Sequence, residues 1–132
     1  LPMGVCLLGE KVKDTLTPGS HGSTFGGNPV CAAAALAVQT QLTDALLADV
    51  KRKGKYIAAE VSELENVKRV SGRGLMLGIE SDKNPKELVQ ALLNRGVVCL
   101  TAKNKLRLLP PLTIPWDALE EAVDIIKEEL AK

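Results

Sequence analysis

The sequence predicts an α/β or α+β domain in which helices pack on one small β-sheet. Segments with the apolar alternation of strands are interleaved with segments in which apolar residues recur every three or four positions, as in helices. Helix start and stop signals separate these segments. The core must be aliphatic, because 45% of the 132 residues are hydrophobic but only one Trp, one Tyr and one Phe occur.

The first part of the chain is predicted to contain one strand and one long helix. Residues 3–8 are apolar, and we expect a short buried strand there. A polar segment and a glycine-rich loop follow, and Asn28-Pro29 then supplies a cap and a favourable first helical position. From Pro29 to Val50 apolar residues recur at helical spacing. Gly54 is a candidate break before a second helical stretch over residues 57–64.

The second part is predicted to alternate between strands and helices. Residues 75–79 alternate as in a strand, and the glycines at 72 and 74 indicate a bend or bulge before it. Asn84-Pro85 is a helix start signal and Gly96 a stop signal. Residues 97–100 and 106–109 are strand-like, with a polar turn at 102–105 between them. A last helix has its apolar face over residues 119–130.

Charge and composition exclude some classes of partner. The net charge is +1, so we expect neither a nucleic-acid nor a membrane partner. The basic run Lys51-Arg52-Lys53-Gly54-Lys55 is interpreted as a solvated helix face. No stretch has the length of a membrane span, and the N-terminal apolar run lacks the basic region of a signal peptide. Because the chain starts at Leu1 rather than Met, we expect it to be part of a longer protein.

The three cysteines are predicted to be free thiols. Cys6, Cys31 and Cys99 are odd in number, lack metal-ligand spacing and have apolar neighbours. A buried free thiol behaves as a small hydrophobic group. Reduced thiols are typical of cytoplasmic proteins, so we expect a cytoplasmic location and no metal site.

The glycine-rich loop from His21 to Pro29, with the sequence HGSTFGGNP, is the main candidate site. Glycines let a ligand approach the backbone closely, and successive free N–H groups can hold an anion. The hydroxyls of Ser23 and Thr24 can donate to the same anion. A purely structural turn remains the alternative by composition alone. His21 has no nucleophile or metal ligand nearby in the sequence, so we interpret it as a loop hydrogen-bonding residue.

The order of these residues resembles the class III pyridoxal-phosphate aminotransferases, and within them the acetylornithine aminotransferases. The family carries a Pro-Gly-X-His-Gly-Ser-Thr-Phe/Tyr-Gly-Gly-Asn-Pro run followed by an Ala-rich helix. The collinear matches, which span essentially the whole chain, are LPMGV at 1–5, PGSHGSTFGGNP at 18–29, GRGLMLGIE at 72–80 and LRLLPPL at 106–112. Ornithine, succinylornithine and 4-aminobutyrate aminotransferases remain alternatives at this level.

The resemblance implies a C-terminal fragment of a homodimeric, pyridoxal 5'-phosphate (PLP)-dependent enzyme. Residues 1–28 would end the large cofactor-binding domain, and residues 29–132 would be the small domain, with three or four strands covered by helices. Thr24 would reach the cofactor phosphate of the neighbouring subunit, and Ser23 would lie beside it at the substrate end. Arg107 would receive the substrate α-carboxylate, although without the resemblance it is interpreted as a surface charge.

The catalytic lysine of the family precedes the segment matched by residues 1–5, and no lysine of this chain stands in that motif. We therefore expect the chain to contain no catalytic residue and to be inactive alone. The parent enzyme would transfer the δ-amino group of N-acetylornithine to 2-oxoglutarate in arginine biosynthesis. Two other classes stay open, a phosphate-binding module and a structural or dimerisation domain. An upstream reading frame encoding the lysine would decide between them.

Overall fold

The computed structural model describes all residues, 1–132, and divides them into two compact units. The first unit is Leu1–Thr43 and the second is Asp44–Lys132. The first contains one helix, α1 (Pro29–Gln39). In chain order, the second contains α2 (Asp44–Ser62), β1 (Val67–Arg73), β2 (Met76–Ser81), α3 (Pro85–Asn94), β3 (Leu100–Ala102), β4 (Lys105–Leu108) and α4 (Trp116–Ala131).

The first unit corrects the strand predicted at residues 3–8. No strand forms there, and its side chains are exposed, Val5 by 73% and Leu7 by 90%. An extended segment needs a neighbouring strand to satisfy its backbone, and this unit contains none. Cys6 in the same segment is exposed, so the prediction of a buried thiol is wrong at this position and holds only for Cys99.

Helix α1 begins where the sequence predicted but ends earlier. The side chain of Asn28 accepts hydrogen bonds from the N–H groups of Val30 and Cys31, and Pro29 occupies the first turn. The predicted single helix from Pro29 to Val50 is wrong, because Thr40 bonds back to the Ala37 carbonyl and the chain turns before α2. A hydroxyl that bonds the preceding turn competes with helix continuation.

Gly54 does not break α2, contrary to the prediction. A Cβ at this position would lie 2.1 Å from the carbonyl oxygen of Gly74, so the helix backbone packs directly on the hairpin that joins β1 to β2. The basic run around Gly54 is also not uniformly solvated, because Lys53 is only 4% exposed. The side chain at this position therefore belongs to the packed side of α2.

The second unit has a four-stranded antiparallel sheet in the order β1-β2-β4-β3. This confirms the predicted fold class. Helices α2, α3 and α4 share one hydrophobic core with alternate residues of β2 and β4, so they cover the same face of the sheet. Leu77, Ile79, Leu106 and Leu108 point into this core. The residues between them lie on the opposite face.

Strand β1 was not predicted, because its residues are mostly charged or small. Gly72 and Gly74 lie at the hairpin, where Arg73 pairs with Met76. A Cβ on Gly72 would meet the Met76 carbonyl oxygen at 2.0 Å, so the backbones of the two strands approach closely at this glycine. No single helix is long and apolar enough to cross a membrane. Helices α1 and α2 meet the length and composition criteria only when counted together across their break.

Candidate functional site

The glycine-rich loop of the first unit presents unused hydrogen-bond donors. The N–H groups of Gly26 and Asn28 bond the carbonyls of Ser23 and Phe25, forming two successive turns. The N–H groups of residues 22–25 make no hydrogen bond within the chain, and neither do the Ser23 and Thr24 hydroxyls. All four residues are exposed. The loop can therefore bind an acceptor that comes from outside it.

A concavity of about 420 Å³ lies beside this loop. It is lined by Pro2, Met3, Gly4, Ser23, Phe25, Gly26, Gly27, Asn28 and Cys31. Ser23 is part of the lining, whereas Thr24 is not. The structure thus brings the two predicted residues together in one loop, and only Ser23 of the two contributes to the wall of this concavity. Gly27 has φ +71°, a conformation that favours glycine at this turn.

His21 makes no hydrogen bond within the chain and is exposed, so its interpretation as a loop hydrogen-bonding residue is not supported. No group of three or more His, Cys, Asp or Glu side chains is placed to hold a metal ion. Besides the His21 ring and the Asn28 amide, the donors of the loop are hydroxyl and backbone N–H groups, and residues 18–29 contain no Lys or Arg.

Arg107 lies on β4 in the second unit, on the sheet face opposite the core. It is paired in register with Gly78 of β2 and Leu100 of β3, between the buried residues Leu106 and Leu108. Its side chain is half-buried and forms no ion pair or hydrogen bond within the chain. A guanidinium in this position can make two parallel bonds to a carboxylate.

Sequence reasoning missed the groups around Arg107. The Lys105 amine donates to the Ser71 hydroxyl at 2.9 Å and lies 3.9 Å from a Glu80 carboxylate oxygen. The Asn104 side chain donates to the other Glu80 oxygen at 2.8 Å. The alternation of Leu106 and Leu108 was a usable signal, since it places the odd-numbered residues of β4 on one face. The partners on β1 could not be found, because that strand was not predicted.

A second polar cluster, also missed, joins α2 to the start of α4. Asp49 accepts hydrogen bonds from the Lys53 amine, from Arg52 and from the Trp116 indole, the last at 3.1 Å. Lys53 also donates to the Ile114 carbonyl at 2.6 Å. The hydrogen bond from Lys53, with those from Arg52 and Trp116, lowers the pKa of Asp49 to about 2 although partial burial opposes this.

The chain matches the family model described as "Aminotransferase class-III" over residues 1–130. It belongs to the class III aminotransferase family. Among curated relatives, acetylornithine aminotransferase of Haemophilus ducreyi is 47% identical over 134 aligned residues, covering 100% of this chain and 34% of the relative. Ornithine aminotransferase of Staphylococcus carnosus is 38% identical, covering 97% and 33% respectively. This class III chain spans about a third of the length of the curated relatives it matches.

Solved class III structures share its fold. Ornithine aminotransferase of Toxoplasma gondii, with PLP partially occupying its active site, superposes with a TM-score of 0.76 at 31% identity. The match covers 89% of this chain and 30% of that one. Acetylornithine aminotransferase of Elizabethkingia anophelis gives a TM-score of 0.71 at 30% identity, covering 89% and 33%. The family and the PLP in the Toxoplasma gondii structure imply dependence on PLP.

The donor set of the loop fits the phosphate group of PLP. Exposed hydroxyls and free backbone N–H groups, with glycines that allow close approach, are among the groups that bind phosphate in proteins. The loop itself carries no cation, so the phosphate charge has to be balanced by groups outside residues 18–29. The donors of the loop therefore suit a phosphate group but do not by themselves balance its charge.

Proposed function

We propose that this chain is the C-terminal part of an acetylornithine aminotransferase. The parent enzyme exchanges the δ-amino group of N-acetylornithine with 2-oxoglutarate, as a step of arginine biosynthesis, in a cytoplasmic homodimer. The observation that carries the proposal is the family match over residues 1–130, with acetylornithine aminotransferases among the relatives at 37–47% identity. Residues 1–28 are assigned to the large domain and 29–132 to the small domain.

Two parts of this chain support the chemistry. Bound PLP supplies the electrophilic aldehyde and the electron sink for transamination. Thr24 donates its hydroxyl and N–H to the cofactor phosphate of the neighbouring subunit, and Ser23 lies beside it at the substrate end. Arg107 orients the substrate by binding its α-carboxylate, since a fork of two N–H groups holds a carboxylate in one plane. No residue of this chain is assigned the proton transfers, so the chain alone is inactive.

The amino donor is tested with the complete gene product that contains this chain. We expect product formation from N-acetylornithine and 2-oxoglutarate to exceed that from ornithine at equal concentrations. The chain of 132 residues alone, assayed in parallel, is expected to give no product. A preference for ornithine would favour the second candidate, an ornithine aminotransferase, which is supported by the 38% identical relative and by the Toxoplasma gondii structure.

The role of Thr24 is tested by Thr24→Ala in the same complete enzyme. We expect PLP affinity to fall by roughly 1–2 kcal/mol, the scale of one hydrogen bond to a charged group. The readout is the PLP dissociation constant measured by fluorescence titration of the apoenzyme. Thr15→Ala is the matched control, because Thr15 is an exposed threonine of the same unit outside the loop. Equal affinity in Thr24→Ala and wild type would remove Thr24 from the phosphate site.

A further inference from the structure

Arg107 is a cation without a partner on a sheet face that carries a carboxylate nearby. In the antiparallel pair of β2 and β4, Gly78 stands opposite Arg107. Glu80, two residues along β2 and on the same face, is its diagonal neighbour. Diagonal residues on one sheet face lie about 7–8 Å apart at the backbone, within reach of long side chains. An ion pair between Arg107 and Glu80 is thus sterically accessible, yet the structure does not form it.

Glu80 is instead held by residues at the β3–β4 hairpin. One carboxylate oxygen accepts a hydrogen bond from Asn104 at 2.8 Å, and the other lies 3.9 Å from the Lys105 amine. The amine is itself fixed by its 2.9 Å hydrogen bond to Ser71 on β1. Both acceptor atoms of Glu80 are therefore directed toward the hairpin and its lysine rather than toward Arg107.

The path of the Lys105 side chain depends on Gly78. A Cβ placed on Gly78 would lie 3.2 Å from the Lys105 Cδ and 3.6 Å from the Ser71 hydroxyl. The missing side chain lets the lysine stem cross β2 and reach β1. The same glycine leaves the space opposite Arg107 unoccupied by any side chain from β2. The absence of a side chain at Gly78 therefore makes room for the Lys105 side chain and leaves the position opposite Arg107 open.

We propose that Lys105 is a positioning residue that keeps Glu80 away from Arg107 and so leaves the Arg107 guanidinium available to a ligand carboxylate. This inference deepens the proposed function and rests on its assignment of Arg107 to carboxylate binding. Without the lysine, the freed Glu80 carboxylate competes for the same guanidinium. An internal carboxylate at high effective concentration then weakens the binding of an external one.

The test uses the full 132-residue chain and acetate as the probe carboxylate. The Arg107 side-chain Nε–Hε resonance, assigned by its loss in Arg107→Gln, is followed by nitrogen-15 NMR during titration at constant ionic strength. We expect acetate to shift it in the wild type. In Lys105→Met the apparent affinity should fall about two- to five-fold, the range set by an exposed ion pair. Lys86→Met removes a lysine from exposed helix surface and is the matched control.

A double-mutant cycle separates this role from a simple loss of positive charge. If Lys105 acts by holding Glu80, Glu80→Gln restores acetate binding in the Lys105→Met background but changes it little in the wild type. If Lys105 only attracts acetate by its charge, Glu80→Gln has the same effect in both backgrounds, and the inference is overturned. An Arg107 resonance that does not respond to acetate in the wild type overturns it as well.

Lys105→Gln provides a second form of the same cycle without an apolar side chain on the sheet face. The backbone amide spectrum of each variant establishes that the second unit is folded before any titration is compared. Because the titration needs no turnover, it is independent of the amino-donor assay. A failed donor assay rejects the proposed function, whereas an additive cycle with normal activity rejects only the role of Lys105.

Discussion

Two glycines of the second unit, Gly54 and Gly74, lie in close contact but in different local structures. Gly54 is inside α2, where glycine is a poor helix former, and Gly74 is at the hairpin with φ +55°. The helix and the hairpin approach each other so closely at this pair that a Cβ on Gly54 would overlap the Gly74 carbonyl. Close packing therefore requires glycine at position 54, although glycine is a poor helix former.

Gly54→Ala is predicted to destabilise the chain. Alanine would gain about 1 kcal/mol of helix propensity, but a Cβ 2.1 Å from a backbone carbonyl oxygen forces α2 away from the hairpin. Overpacking of this kind lowers the free energy of unfolding by roughly 1–3 kcal/mol, so the net sign is destabilising. Urea unfolding measures it. Gly9→Ala, with nothing within 4 Å, is the neutral control, and a more stable Gly54→Ala protein would contradict the contact.

The three thiols are predicted to differ in reactivity. Burial raises the pKa of the Cys99 thiol to about 11, so at about pH 8 only about one molecule in a thousand carries its thiolate. Cys6 is exposed and Cys31 half-buried. Labelling with a disulfide reagent, followed by peptide mass spectrometry, should modify Cys6 first and Cys99 last. In denaturing urea the three labelling rates should become equal. Rapid labelling of Cys99 in the native chain would contradict the prediction.

At the scale of elements, a buried lysine links α2 to α4. Lys53 pairs with Asp49 within its own helix and bonds the Ile114 carbonyl in the segment before α4. The Trp116 indole completes the link by donating to Asp49. The cluster therefore joins α2 both to the segment that leads into α4 and to the first residue of that helix.

Asp49→Asn is predicted to change the acid dependence of stability. The folded-state pKa of Asp49 is lowered from 3.8 to about 2, so its contribution is fully present above about pH 4 and is lost as the pH falls through about 2. The variant should have a lower melting temperature than wild type near pH 5, with the gap closing near pH 2. Thermal unfolding at both pH values measures this, with the exposed Asp124→Asn as control. A gap independent of pH would show that the Asp49 charge is unimportant.

At the scale of the whole molecule, the core lies entirely in one unit. Every buried hydrophobic residue belongs to Asp44–Lys132, whereas α1 buries none of its residues. Hydrophobic burial is the dominant favourable term in folding. The stability of the chain therefore resides in the second unit, and the loop residues Ser23 and Thr24 belong to a unit that buries no hydrophobic side chain.

A chain of residues 44–132 alone is predicted to be as stable as the whole chain. Its urea midpoint should match that of residues 1–132, and so should the slope of its unfolding free energy against urea concentration. Agreement is expected within about 10–15%, the usual error of such extrapolations. Its amide spectrum should overlay the second-unit resonances of the longer chain. A control that starts at residue 64 lacks α2 and should not fold, because Val50, Ile57 and Val61 leave the core. A clearly lower midpoint for 44–132 would assign stabilising contacts to the first unit.

The elements that the sequence predicted well carry their own signals. Helix α3 has Asn84-Pro85 at its start, strand β2 alternates cleanly, and α4 has one apolar face. Strand β1 lacks such a signal, because its charged residues Lys68, Arg69 and Arg73 are exposed and only its pairing with β2 makes it a strand. The apolar run at residues 3–8 is the converse case, since apolar composition without a neighbouring strand does not form a sheet.

By itself, the sequence determined the family, the fold class and the residues Ser23, Thr24 and Arg107 as candidates, because motifs and periodicity are properties of residue order. Only the tertiary structure decided which charges are paired. Glu80 and Lys105 are 25 positions apart and become neighbours through the register of β2 and β4, while Lys53 is buried with its amine bonded to the Ile114 carbonyl just before α4. Such contacts join residues that are distant in the chain, so no local sequence pattern predicts them.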